Sequence, residues 1–344
     1  MFKSIANSAI RIFIIVSLNN VAHATKHAYQ TMPPASLWAR MAHDSNVKRF
    51  DMRQSFIDDC ALYAHENNLI PQHKKNNETV RIATYNVHSW YDCKGKNNFE
   101  GVMSVIKDIN ADILILQEVS LFDWKKIKKT CESLGYYCSK SLFVHTMYYY
   151  LHSFGNMIVS KYPLAQEPIQ KTFDADKKMF GDTRGYVKIV VDLPHQKKIK
   201  IYGTHLDVYD NTESLRTKEI QELIEDIGIG IDPCIIAGDF NAVRASDYQY
   251  EMDGKSVWQM VKDNHKQRTG IERGTQALQL LADNNFQDCF TKNSQTSPKF
   301  SVWSGVLVDF IWLNTFWNFP LAGCYVYYTA ASDHLPIIMD VKVS

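Results

Sequence analysis

The stretch Ile235-Ile236-Ala237-Gly238-Asp239-Phe240-Asn241 decides how this chain is read. A short apolar run stops at a glycine and then presents a carboxylate and a carboxamide two positions apart. Both fall on the same face if the extended backbone continues. An ionised Asp at the end of a buried strand is costly unless it is paired, hydrogen-bonded or close to a metal, so the strand must open into a polar pocket. A turn in which Asp239 and Asn241 merely bond backbone groups would account for the same residues. Recurrence decides between the two, because similar strand endings occur four more times.

Upstream, Lys200-Ile201-Tyr202-Gly203-Thr204-His205 is strand-like and ends in His205. A helix with the apolar stripe Ile220, Leu223, Ile224 and Ile227 separates it from the opening stretch. The same plan stands earlier in the chain. Ile82-Ala83-Thr84-Tyr85-Asn86 is strand-like, Phe99, Val102, Met103, Ile106 and Ile109 fall at helical spacing, and Ile113-Leu114-Ile115-Leu116-Gln117-Glu118 is a second buried strand. Asn86 and Glu118 are 32 positions apart, His205 and Asp239 34. A right-handed crossover makes each pair of strands parallel and brings both polar ends to one sheet edge. Two such units predict a two-sheet α/β core with pseudo-symmetric halves.

Phe154 to Ser160 and Tyr186 to Leu193 are strand candidates between the halves, the latter introduced by Asp182-Thr183-Arg184-Gly185. Tyr148-Tyr149-Tyr150 has the chemistry to stack on a base or sugar, although burial in a sheet is the commoner fate of such residues. Residues 244 to 299 read as polar and irregular, with an amphipathic patch at Ala277 to Leu281. Val306 to Leu313 is a further strand carrying Asp309, and Ser332-Asp333-His334-Leu335-Pro336 precedes a last strand, Ile337 to Val343.

The first residues are of another kind. Lys3 and Arg11 precede the apolar run Ile12 to Leu18, and Val21-Ala22-His23-Ala24 offers a small-x-small cleavage pattern, so residues 1 to 24 read as a secretory signal peptide. The run is too short to span a bilayer; a membrane-anchored or merely hydrophobic N-terminus is the alternative. Export to the periplasm or the outside follows, with no transmembrane segment in the mature chain. Residues 25 to 80 form an N-terminal extension, with a helical pattern at Phe56, Ile57, Cys60, Ala61 and Ala64 and a polar linker after Pro71. The catalytic domain spans 81 to 344.

Hydrophobic residues make up 45% of the chain and charged ones 22%, an ordinary globular composition. Cleavage after residue 24 removes Lys3 and Arg11 and no acid, turning the formal +1 into −1. No global field therefore draws the protein to polyanions, though a local basic patch remains open. Lys125, Lys126, Lys128 and Lys129 form the densest basic cluster and read as a solvated helix face. Seven cysteines fit no metal-binding spacing; export permits disulfides, with Cys131 and Cys138 the closest pair, but the odd count leaves at least one thiol unpaired within the chain. Asn77-Glu78-Thr79 is a glycosylation sequon.

The polar candidates are Asn86, Glu118, Arg184, His205, Asp207, Asp239, Asn241, Asp309, Asp333 and His334. Oxygen donors dominate, which suits a hard, partly hydrated ion such as Mg²⁺ or Mn²⁺ better than zinc. A nucleotide-binding glycine loop with its lysine and a Gly-x-Ser-x-Gly elbow are both missing, so P-loop and serine-hydrolase chemistry lack support. Phosphoester hydrolysis needs charge neutralisation, an activated water, donors to the transition state and help for the departing oxygen. Each has a supplier in this set.

Tyr85-Asn86, Leu116-Gln117-Glu118, Gly203-Thr204-His205-Leu206-Asp207, Gly238-Asp239-Phe240-Asn241, Val308-Asp309-Phe310-Ile311 and Ser332-Asp333-His334-Leu335-Pro336 stand in an order that resembles the endonuclease/exonuclease/phosphatase superfamily, the deoxyribonuclease I-like fold. The resemblance covers residues 81 to 344. It implies a four-layer α/β sandwich, two mixed sheets face to face with helices outside and the site at one edge. It also implies roles. Glu118, with Asn86 nearby, is similar to the main metal-binding group, and Asp333 to an additional metal or metal-proximal ligand. Asp239 resembles the residue that orients or deprotonates the attacking water, and Asn241 the phosphate donor. His334 paired with Asp309 matches a polarised histidine, His205 a second histidine, and Arg184 a phosphate clamp. Asp207 fits a capping or bracing role equally well.

The resemblance does not choose the substrate. Ser304-Gly305-Val306-Leu307-Val308-Asp309 departs from the Pro-Ala-Trp-Cys-Asp-Arg type segment of inositol polyphosphate phosphatases, which weakens that option. The expectation is a monomeric, exported, Mg²⁺-dependent phosphodiester hydrolase acting on nucleic acid in preference to phospholipid. The rival is a secreted binding module that keeps the fold without the chemistry. Convergence of Glu118, Asp239, Asn241, Asp309 and His334 on one cleft separates the two.

Overall fold

The computed structural model describes residues 75, 78–92, 95–121, 124–149, 152–176, 183–228, 231–252, 255–269, 274–295, 300–302 and 306–343. The expected signal peptide, nearly all of the extension, Cys60, Cys93, Asn77, Tyr150 and Asp182 lie outside the described residues.

The first unit runs as the apolar spacing predicts: β1 (Thr79–Asn86), α1 (Phe99–Ile109) and β2 (Ile113–Ser120), with β1 and β2 parallel. Along β1 and β2 successive side chains alternate between two cores. Ile82, Ile113 and Ile115 face the second sheet, whereas Ala83, Leu114 and Leu116 pack under Val102, Ile106 and Ile109 of α1. α1 ends at Asn110, which takes the left-handed conformation that terminates helices (φ 49°). α2 (Trp124–Ser133) adds Ile127 and Cys131 to the outer core and leaves its lysines in water, as a solvated face should.

β3 (Phe143–Tyr149) and β4 (His152–Ser160) complete this side of the first sheet. β5 (Ile169–Thr172), β6 (Gly185–Leu193) and β7 (Lys197–His205) begin the second. The second crossover is α3 (Ser214–Ile227) leading into β8 (Cys234–Asp239), parallel to β7. The two expected halves are therefore present, each with one parallel pair.

Residues 244 to 299 are more regular than their polarity implies. They hold the short hairpin β9 (Glu251–Met252) and β10 (Lys255–Ser256), then α4 (Val257–Thr269), α5 (Gln276–Asp283), β11 (Gln287–Asp288) and α6 (Cys289–Lys292). The mostly polar sequence of α4 hides the helix, because few of its residues, Val257 and Val261 among them, are buried. β12 is also shorter than the apolar run around it, Asp309–Leu313 instead of Val306 to Leu313. Here Leu307, Val308 and Asp309 give their N–H groups to the side-chain oxygens of Tyr248 and Ser301. β13 (Leu321–Val326) and β14 (Ile337–Lys342) close the first sheet.

Two six-stranded mixed sheets result, in the orders β13-β14-β1-β2-β4-β3 and β11-β12-β8-β7-β6-β5. They pack face to face over a continuous apolar core. Gly203 of β7 marks how closely they approach: a Cβ there would sit 2.7 Å from Ile115 and 3.0 Å from Ile158 of the opposite sheet. This is the deoxyribonuclease I-like α/β sandwich. The five described cysteines are buried thiols, with Cys324 Sγ 3.2 Å from Cys289 O.

Candidate active site

Strand register brings the polar ends together. In the second sheet Asp309, Asp239 and His205 stand side by side as pairing partners, and Gly185, partner of His205, puts Arg184 next in line. In the first sheet Asn86 pairs with Gln117, so Glu118 lies one residue beyond. Pairing of β2 with β4 slips between Leu116 and Val119, and Glu118 has a positive φ of 56°. Such a bulge re-aims a side chain, here the Glu118 carboxylate.

Asn86 Nδ2 is 3.1 Å from Glu118 Oε1 and 3.1 Å from Asp239 Oδ2, and Asn86 Oδ1 accepts from the His88 N–H at 3.0 Å. One amide thus joins the two sheets and has its orientation fixed by all three partners. Around Asp239 the other groups close in. His205 Nε2 is 3.5 Å and His334 Nε2 3.7 Å from Oδ2, and the Asn241 N–H donates to Oδ1 at 2.9 Å. His334 Nδ1 lies 2.8 Å from Asp309 Oδ2. The turn at Gly238-Asp239 depends on glycine: with φ 150°, a Cβ at 238 would fall 1.9 Å from Thr204 O.

Burial pushes the Asp239 carboxyl up and the charge of Asp309 pushes it further. His334, the Asn241 N–H and Asn86 pull back, leaving it at about 7. Burial works against an imidazolium at His334, but Asp309 and Asp239 outweigh it and hold that group well above the usual histidine range. His205 goes the other way, pushed well below by burial and then by the positive charges of Arg184 and His334. A charged imidazole between two acids, flanked by a neutral one, is the resulting state.

Donor atoms of Asp239, Asp309 and His334 all lie within 4.8 Å of one another, close enough for a cation. An ion there would compete with the His334–Asp309 hydrogen bond and would face the charged His334 imidazole. The Glu118 side offers the oxygen chemistry that a hard cation prefers. Glu118 and Asp333 are half-buried carboxylates that both adjoin Asn86, the first through the amide, the second through Ser332, whose Oγ donates to Asn86 O at 2.8 Å. Oxygen donors at an opening are what an ion that keeps some of its water requires.

The remaining candidates take supporting places. Arg184 is buried beside His205. Asn241 Nδ2 donates to Leu206 O at 3.0 Å, tying the β8 turn to the β7 turn. Asp207 Oδ1 accepts the N–H groups of Tyr209 and Asp210 at 2.7 and 2.6 Å, the bracing arrangement rather than one aimed at the cleft. Two positioning residues escaped the sequence reading. Ser301 Oγ donates to Asp309 Oδ2 at 2.7 Å while accepting the Val308 and Asp309 N–H groups at 3.0 Å. Nothing in its local sequence signals this. His88 faces Asp333, Nδ1 to Oδ1 at 3.5 Å, and the spacing Asn-x-His after a strand end was the available clue.

Two mixed sheets with a polar edge fed by both halves define the class, a deoxyribonuclease I-like sandwich. The model of the Endonuclease/Exonuclease/phosphatase family matches residues 83–334, and the chain belongs to that family. No curated protein sequence matches the chain. Among solved structures it is similar to an endonuclease/exonuclease/phosphatase from Beutenbergia cavernae, at 14% identity and TM-score 0.56 over 77% of this chain and 72% of that one. A Bacteroides vulgatus endonuclease/exonuclease/phosphatase gives 16% and 0.54, over 77% and 99%. D. rerio TDP2 complexed with single strand DNA product gives 16% and 0.53, over 77% and 99%. At these identities the likeness is one of fold. No helix among the described residues is long and apolar enough to cross a membrane.

Proposed function

We propose that the protein is a divalent-metal-dependent phosphodiester hydrolase, acting on nucleic acid in preference to phospholipid. The observation that carries this reading is the meeting of both sheets at Asp239, whose Oδ2 has Asn86, His205 and His334 within 3.1 to 3.7 Å. A binding module would have no use for so many desolvated polar groups at one point, each of which costs stability unless paired.

In this reading Asp239 holds the attacking water and takes its proton, a task suited to a carboxyl near 7. His334, kept protonated and oriented by Asp309, donates to a phosphoryl oxygen or to the departing oxygen. His205 and the Asn241 amide are further donors, and Arg184 supplies a fixed positive charge behind them. Glu118 and Asp333, with Asn86 positioning the former, would hold Mg²⁺ or Mn²⁺, which when bound neutralises charge on the phosphoryl oxygens.

Exposed Tyr91 and Tyr209 stand on the loops that leave Asn86 and His205, and unpaired bases stack on such rings. That favours single-stranded nucleic acid over lipid, as does the DNA product in the TDP2 complex. The N-terminal pattern supports export, with residues 81 to 344 as the catalytic domain of a chain we take to act as a monomer. Single-stranded DNA, RNA, sphingomyelin and phosphoinositides should be tested side by side in Mg²⁺, Mn²⁺ and EDTA. Cleavage of the single strands, abolished by EDTA, is expected; metal-independent turnover would overturn the mechanism.

A further inference from the structure

The turn that follows β1 is under strain and holds His88 against Asp333. His88, Ser89 and Trp90 have φ of 45°, 53° and 67° in succession, though none is glycine. A single residue of this kind costs about 1–3 kcal/mol and persists only where its surroundings impose it. The surroundings are visible. Trp90 is buried, its indole N–H donates to Ser120 O at 2.8 Å and its ring meets Phe99 edge-on at 5.0 Å. The Trp90 N–H closes the turn onto Val87 O at 2.8 Å, and the His88 N–H is held by Asn86 Oδ1 at 3.0 Å. Between these anchors the His88 imidazole meets the Tyr91 ring edge-on at 6.3 Å and faces Asp333.

There its Nδ1 is buried and has no hydrogen-bond partner, yet lies 3.5 Å from Asp333 Oδ1. Two donors on one ion, at bonds of about 2.1 Å, stand roughly 3 to 3.5 Å apart. A buried imidazole nitrogen without a partner, facing a carboxylate at that separation, matches the spacing of two neighbouring donors on one ion.

We propose that His88 is a metal ligand, forming with Asp333 a mixed nitrogen and oxygen pair on the Glu118 side of Asn86. The inference rests on the reading of this cleft as a divalent-metal site. Its consequence is selectivity. Oxygen-only sites suit Mg²⁺, whereas an imidazole nitrogen adds affinity for first-row transition ions in the Irving–Williams order. The site therefore prefers Mn²⁺, and the later ions after it, to Mg²⁺.

The test uses the full chain with Mn²⁺ alone as probe. Pulsed electron paramagnetic resonance of the bound ion should show nitrogen modulation from an imidazole. His88→Ala should abolish it, and His88→Asp should bind Mn²⁺ without it. Calorimetric titrations should show the wild-type preference for Mn²⁺ over Mg²⁺ falling about tenfold or more in both variants, with circular dichroism verifying their fold. Nitrogen modulation that survives in His88→Ala, an unchanged Mn²⁺/Mg²⁺ ratio, or no Mn²⁺ binding would each overturn the proposal. Hydrolysis is measured in parallel on the same samples. Loss of modulation in the variants together with no turnover of any phosphodiester by the wild type would leave His88 a ligand and discard the hydrolase reading.

Discussion

Asn86, at the end of a strand in one sheet, donates to Asp239, at the end of a strand in the other, across 3.1 Å. The same Nδ2 reaches Glu118 at 3.1 Å. The proposed water-activating and metal-binding positions are therefore tied by a single amide. Asn86→Ala should leave two carboxylates without their shared donor, at a cost of about 1–3 kcal/mol in chemical denaturation. It should also lower kcat by roughly 10²-fold, as loss of a preorganised donor does. A variant with unchanged kcat would make this bond purely structural.

The two ends of that amide are expected to fail differently. Glu118→Gln should weaken Mn²⁺ binding by calorimetry and raise the metal concentration needed for half-maximal rate. Asp239→Asn should depress kcat by orders of magnitude while Mn²⁺ affinity changes little. Equal losses of metal binding in both would move Asp239 into the ligand set.

Why was so much of this site legible in the sequence? The polar residues that converge sit at the ends of strongly apolar strands, where a carboxylate or histidine contradicts its surroundings. Ile235-Ile236-Ala237 before Asp239 and Ile113-Leu114-Ile115-Leu116 before Glu118 announce both the strand and its abrupt end. Parallel crossovers then dictate one edge. What stayed hidden depends on backbone detail. The bulge that turns Glu118 is a slip against β4, a partner distant in sequence. Ser301 acts through register with the start of β12, and His88 through three consecutive left-handed residues held by a buried Trp90 and by Asn86. α4 was missed because a mostly polar sequence carries little periodic apolar signal.

His334 and Asp309 should behave as one unit. Their 2.8 Å contact, together with the Ser301 hydrogen bond to the same carboxylate oxygen, fixes the ring, and the charge of Asp309 helps keep it protonated. Asp309→Asn and His334→Ala should each lower kcat by about 10²-fold or more, and the double variant by little more than the worse single one. Multiplicative losses in a double-mutant cycle would separate the two roles.

Gly238→Ala probes the turn itself. The added methyl would enter the backbone of Thr204 in the neighbouring strand, which has no flexible end to give way. Displacement of β8 from β7 would spoil His205 against Asp239 as well as stability. The expected result is a fall in Tm of several degrees, the scale of a 1–3 kcal/mol backbone penalty, accompanied by loss of activity in the protein that remains folded. A stable, active Gly238→Ala would mean that the strand pair relaxes freely.

Asp210 governs the acid side of stability in the loop after His205. Its Oδ2 accepts the Leu215 and Arg216 N–H groups at 2.6 and 3.0 Å, capping α3 from outside the helix, and its Oδ1 accepts from Thr212 at 3.1 and 2.8 Å. Partial burial raises the carboxyl, but these hydrogen bonds and the charge of Arg216 outweigh it, so its pKa lies below the ordinary 3.8. A depressed folded-state pKa contributes stability that is present above the unfolded value and lost as pH falls through the folded one. Wild type should thus exceed Asp210→Ala by about 1 kcal/mol, the scale of a helix cap, at pH 6. Much of that gap should close between pH 4 and pH 2, because only the neutral acid then remains to accept the N–H groups. Denaturant titrations across this range measure it, and a gap that stays constant with pH would mean that the carboxylate charge plays no part in holding the loop.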